Sequence, residues 1–233
     1  MPELILAIGN CNYSSWSLRA WLAIEQTGLP FREEIIWFDE DRDRRQRKAL
    51  SPTGRVPVLL HGKMAIWDSL AIGEYLAELA PEAGLWPDDR MARARARSLC
   101  AEMHAGFPAV RATLPLNMRR RMEQHREHGT DIDNEVRRLT SMWTDTRQMF
   151  GDDGPFLFGR RTLADAFFAP VASRFRTYGI SLKGEAEKWA ETVLNLPAMR
   201  TWAERANAEG HPNPAYDALL LNDRSGTGPP NLE

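Results

Sequence analysis

Arg55-Val56-Pro57-Val58-Leu59-Leu60, with Asp68-Ser69 a short way downstream at the head of an apolar helix, is the stretch that decides how this chain is read. Val56 to Leu60 has the character of a buried strand, yet it opens on a Val-Pro step, and proline has no N–H to give a sheet ladder. Proline is tolerated at a strand's first residue. There it can fix a turn and leave the backbone N–H and C=O of Val56 open to another partner. Asp68 and Ser69 place an acid and a hydroxyl where a helix N-terminus presents bare N–H groups to an anion. Together these features describe a site that grips an extended peptide by its backbone and its carboxylate.

Outward from that stretch, Leu4 to Ile8 is a continuous apolar run ended by Gly9-Asn10, a buried strand. Asn12-Tyr13-Ser14-Ser15 supplies N-cap chemistry for a helix through Leu18, Trp21, Leu22 and Ile24, which stops at Gly28 before Pro30. Phe31 to Phe38 reads as a second strand. Asp39 to Lys48 is nearly all charged and reads as an exposed loop plus a short helix. Val56 to Leu60 and Met64 to Trp67 flank His61-Gly62-Lys63, which predicts an antiparallel hairpin with His61 in the turn. Ser69 is read as the cap of a helix carrying Leu70, Ile72, Tyr75, Leu76 and Leu79. The order over residues 1–80 is β-α-β-α-β-β-α.

Pro81, Gly84, Pro87 and Asp88-Asp89 make residues 81–89 a linker, and nothing after it reads as a strand. Helices are expected over Arg90 to about Thr113, Asp131–Phe150, Leu163–Phe175, Glu185–Val193 and Pro197–Ala208. Thr162-Leu163-Ala164-Asp165 is a capping box at the head of the third of these. Residues 90–221 therefore read as an all-helical domain, and the polar tail 222–233 as disordered. The fold class is α+β in two domains.

The totals narrow the function. A chain of 233 residues with 27% charged residues, 43% hydrophobic residues and net charge −2 has ordinary globular composition and no basic module for nucleic acid. No apolar run approaches the roughly 20 residues of a membrane span, and the N-terminus lacks a signal-like apolar core. Cys11 and Cys100 give no disulfide framework, so a cytoplasmic location is expected. His125 and His128 form a bare His-x-x-His in a polar stretch and read as a solvated loop, so no metal site is expected.

This layout resembles the cytosolic glutathione transferase superfamily over roughly residues 4–220. The likeness is carried by Gly54-Arg55-Val56-Pro57-Val58-Leu59 leading into Asp68-Ser69-Leu70-Ala71-Ile72, and by the Thr162–Asp165 capping box. Tyr13-Ser14-Ser15-Trp16-Ser17-Leu18-Arg19 is similar to the serine motif of the zeta-like (maleylacetoacetate isomerase) classes, except that Trp16 stands where the zeta pattern has cysteine. The resemblance implies a thioredoxin-like N-terminal domain, a helical C-terminal bundle, a homodimer, and glutathione as co-substrate with a small electrophile. It further implies a cis Val56–Pro57 bond, with the Val56 backbone paired to the cysteinyl part of glutathione. Ser69 would hold the γ-glutamyl carboxylate, Asp68 would orient the α-amino end, and Arg55 would stand at the rim.

Only a thiolate attacks electrophiles, and a cysteine-like thiol ionises near about 8.5. A hydroxyl at a helix N-terminus lowers that value through a hydrogen bond and the helix's partial positive charge. Ser14 and Ser15 stand where that hydroxyl is needed, and Ser14 is favoured because it matches the first serine of the zeta-like pair; read locally, both are simple caps. Tyr13 is an alternative donor. Cys11 begins a C-x-x-S sequence, read either as a redox thiol or as a small buried filler. The resemblance places the electrophile pocket between the domains, at the first helices of the C-terminal part. Met103, Phe107 and Arg111 fall on one helical stripe there, read either as that pocket or as core, Arg111 favouring the pocket because a cation on such a stripe needs a partner or a ligand carboxylate. Conjugation is the leading reaction, with glutathione-dependent isomerisation of an unsaturated diacid, or ligand binding without turnover, as alternatives.

Overall fold

β1 (Leu4–Ile8) is an inner strand of a four-stranded sheet, which is why its apolar residues run without alternation: both faces of the sheet are covered. In the computed structural model, which describes residues 2–38, 41–122 and 129–219, the strand order is β2-β1-β3-β4. β2 (Phe31–Ile35) runs parallel to β1, and β3 (Val58–His61) and β4 (Met64–Trp67) are antiparallel additions. The parallel crossover is made by α1 (Ser15–Thr27), which ends on Gly28 at φ 67°, a left-handed cap that glycine adopts without a Cβ penalty. α2 (Asp41–Leu50) and α3 (Ser69–Leu79) complete the thioredoxin-like unit.

The remainder is helical: α4 (Arg90–Ala105), α5 (Pro108–Thr113), α6 (Thr130–Phe150), α7 (Leu163–Tyr178), α8 (Gly184–Leu194), α9 (Pro197–Ala208) and α10 (Pro214–Leu219). α7 is buried along nearly all of its length and packs on α1, α4 and α8, so one core runs through both halves. Its start is set by the capping box: Asp165 accepts from the Thr162 N–H at 2.7 Å, and it also receives Leu157 N–H at 3.1 Å and Trp189 Nε1–H at 2.8 Å.

Several expectations are corrected. Phe31 to Phe38 is strand only to Ile35; the short helix expected in the charged segment is the ten-residue α2. His61 ends β3, pairing with Met64, instead of occupying the turn. The expected helix from Arg90 to Thr113 is two helices. Gly106 is extended (φ −100°, ψ −169°), Phe107 is left-handed (φ 59°), and Pro108 cannot continue the α4 ladder. α10 was not legible, being a short turn of helix after Pro214. His125, His128 and the tail 222–233 lie outside the described residues. No described helix is long and apolar enough to cross a membrane.

Candidate functional site

A cleft of about 90 Å³ opens where the β3 loop, β4 and the heads of α1 and α3 meet, lined by Trp16, Thr53, Arg55, Val56, Pro57, Trp67, Asp68 and Ser69. Its floor is built locally. Ser51 and Thr53 bridge side chain to side chain at 2.8 Å, and the Gly54 N–H donates to the Ser51 carbonyl at 3.0 Å, folding residues 51–54 into a tight turn. That turn delivers Arg55 and Val56 to the rim, and the Val56–Pro57 bond is cis. No hydrogen bond among the described residues engages the Val56 backbone N–H or C=O, because the ladder begins only at Val58.

The opposite wall is the start of α3. The expected cap, Ser69, is the first helical residue; Asp68 is the N-cap, its Oδ1 accepting from the Leu70 N–H at 2.9 Å. Asp68 holds φ 78°, a conformation that costs a non-glycine residue of order 1–3 kcal/mol and clusters at ligand clamps. Its Oδ2 receives His104 Nε2 at 3.2 Å, a contact from α4 that joins the two halves of the chain across the cleft. Burial works to raise the Asp68 carboxyl. Hydrogen bonds from His104 and the Leu70 N–H, with the charges of His104 and Arg19, outweigh it and hold the group below the usual carboxylate value. With the aspartate capping, Ser69 is left with a buried hydroxyl that has no hydrogen-bond partner among the described residues. A hydroxyl left unpaired beside a helix N-terminus in a cleft is free to donate to an oxygen that enters it.

Trp16 forms the third wall. Arg19 lies 4.4 Å and Arg111 5.7 Å from its ring centre, and His104 meets it edge-on at 5.0 Å. The cleft thus has an aromatic panel backed by cations.

The other expected residues are placed differently. Ser14 caps α1: its Oγ accepts from the Ser17 N–H at 3.2 Å and donates to Ser17 Oγ at 2.8 Å. Ser15 is buried, with Arg174 Nη2 donating to its Oγ at 3.2 Å. Neither lines the cleft. Met103 is fully buried in the core and Phe107 caps α5, so these two and Arg111 share no helical face; the break at Gly106 separates them. Arg111 does reach Trp16, and donates weakly to the His104 carbonyl at 3.4 Å.

Two local alternatives lose their footing. The Tyr13 hydroxyl donates to Asp217 at 3.0 Å and accepts from the Asn213 N–H at 3.0 Å, so it is held by the C-terminal segment. Cys11 is buried, and burial, reinforced by the Glu209 carboxylate, pushes its thiol far up, the reverse of a redox nucleophile. The residues that sequence reading missed are Trp16 as a wall, Thr53, Trp67 and His104. Trp67 carried a signal, an aromatic directly before the acid at a strand end. His104 carried none, because its role arises from a contact between helices distant in sequence.

Residues 13–79 match the family model "Glutathione S-transferase, N-terminal domain". Among characterised relatives, dichloromethane dehalogenase of Methylorubrum extorquens is 40% identical over 60 residues, a match that spans 25% of this chain and 21% of that protein. Maleylacetoacetate isomerase of Pseudomonas aeruginosa is 28% identical over 199 residues, covering 80% of this chain and 90% of that one. A glutathione transferase homologue from Burkholderia, solved with bound glutathione, superposes with TM-score 0.66 at 22% identity over 90% of this chain and 100% of that chain. Glutathione transferase Omega 2C of Trametes versicolor gives TM-score 0.67 at 16% identity, covering 95% of this chain and 100% of that chain. Residues 13–79 therefore carry a glutathione S-transferase N-terminal domain, and the chain as a whole has the fold of the glutathione transferases.

Proposed function

We propose that this protein is a glutathione transferase that binds reduced glutathione in the cleft between Val56 and Ser69 and adds its thiolate to a small electrophile. The observation that carries the reading is the conjunction of an unengaged Val56 backbone and an unpartnered Ser69 hydroxyl facing one recess. An extended tripeptide supplies what each lacks. Its cysteinyl N–H and C=O pair with Val56, and its γ-glutamyl carboxylate accepts from Ser69 at the positive end of α3. Asp68, ionised and held on both oxygens, faces the α-amino cation, and Arg55 closes the rim. A homodimer in the cytoplasm is part of the same proposal.

Thiolate stabilisation falls to the head of α1. Of the two serines, Ser15 is the one with a cation against it, accepting from the Arg174 guanidinium, and positive charge at that position favours a thiolate. Ser15 is therefore the better donor to the glutathione sulfur, with Ser14 shaping the turn. Arg111 and Trp16 bound the space beyond the sulfur, where an electrophile would sit. The similarity to maleylacetoacetate isomerase keeps isomerisation of an unsaturated diacid as an alternative use of the same thiolate.

A second reading, binding without turnover, is favoured by one observation: both serines are buried and outside the lining of the cleft. Calorimetric titration with reduced glutathione, followed by conjugation assays over a panel of aromatic and unsaturated electrophiles, separates the two. Binding with turnover supports the transferase. Binding with no turnover of any electrophile supports the second reading, and no binding refutes both.

A further inference from the structure

We propose a second ligand site at the opposite end of β3 from Pro57, for a small apolar carboxylate. A cavity of about 380 Å³, within the range of small-molecule pockets, lies where the N-terminal end of β1, the α1–β2 turn, the end of β3 and the end of α3 converge. Leu4, Leu29, Phe31 and Leu79 give it apolar walls, and Arg32 and His61 are its basic groups. It shares no residue with the cleft.

His61 supplies the chemistry. Its Nδ1 lies 2.6 Å from the Tyr75 hydroxyl, and its Nε2 is buried with no hydrogen-bond partner among the described residues. Taking Tyr75 as the donor in that pair, since a phenol is a stronger acid than a neutral imidazole N–H, leaves the ring proton on Nε2. A buried N–H donor with no acceptor is costly unless a bound group supplies one. Arg32 adds a cation at the mouth. Among the described residues it pairs with Glu3, which also lines the cavity, at 3.4 Å with both side chains more than half exposed, a pair weak enough to open. An apolar body with one carboxylate satisfies both donors and fills the walls.

Titration of sodium octanoate into the full chain by calorimetry tests this, with and without saturating glutathione. The expected result is binding with Kd below about 1 mM that persists with glutathione present. Binding should weaken about tenfold in His61→Phe, which keeps the ring and removes the N–H. It should weaken severalfold in Arg32→Gln and vanish in Leu79→Trp, which fills the cavity. Should His61→Phe fail to fold, the exposed Arg32→Gln and the filled Leu79→Trp decide. No binding, binding indifferent to these substitutions, or binding displaced by glutathione overturns the proposal.

Discussion

Asp68 caps α3, meets His104 and lines the cleft, and in the proposed complex its carboxylate faces the α-amino end of glutathione. One oxygen caps α3 and the other meets His104, so the carboxylate is positioned before any ligand arrives, with an unusual backbone angle maintained for it. Because its folded-state pKa is depressed, its charge is fully present at and above the usual carboxylate range and is lost only as pH falls through the lowered value. Asp68→Asn should therefore weaken glutathione binding by a constant factor from neutral pH down to about pH 4, with the gap to wild type closing below that. Calorimetry across pH checks the shape; a gap that closes near neutrality contradicts it. Ser69→Ala should cost about 2 kcal/mol of binding, roughly thirtyfold in Kd, since it removes a hydroxyl bonded to a charged carboxylate. Folding should be unaffected, because that hydroxyl has no partner within the described protein.

Among the elements, α7 shows how local chemistry and packing agree. Asp165 satisfies the Thr162 N–H, the Leu157 N–H and the Trp189 indole at once, and it is fully buried. Burial dominates and raises its carboxyl despite those donors. Asp165→Ala strands three buried donors and should lower unfolding free energy by roughly 3–5 kcal/mol in denaturant titration. A loss under about 1 kcal/mol would mean the donors find other partners. The capping box was readable because its signal lies within four residues, as was β1 from its apolar run and α1 from its serine start and Gly28 stop. The split of α4 from α5 was hidden: Met103, Phe107 and Arg111 keep helical spacing in sequence while Gly106-Phe107-Pro108 breaks the axis between them. Pro108 was the clue, since the residue before a proline leaves the α region readily. In the site, Val56, Pro57, Asp68 and Ser69 were legible as motif, whereas His104 joins only through tertiary contact. Ser15 is buried against Arg174 of α7, and the C-terminal segment holds the loop before α1, contacts that no local pattern announces.

Across the whole molecule, that segment is the clamp on the β1–α1 loop. Glu209 accepts from the Cys11 and Asn12 N–H groups, Trp202 donates to the Cys11 carbonyl at 2.8 Å, and Arg205 pairs with Glu33 on β2. The Glu209 side chain is 5% exposed, so Glu209→Ala leaves two loop donors unpaired away from water. It should cost about 2–4 kcal/mol of stability and speed the reaction of Cys11 with a thiol reagent, read by mass spectrometry. An unchanged rate would place the clamp elsewhere. The same clamp fixes the head of α1, and with it the hydroxyl assigned to the thiolate, so fold and proposed chemistry meet at one loop. The most direct measurement is the pH titration of thiolate ultraviolet absorbance for glutathione bound to wild type and to Ser15→Ala. The bound thiol should ionise at least one unit below the free value of about 8.5 in wild type and return toward it in the variant. A bound thiol that titrates like free glutathione in both proteins would contradict the account.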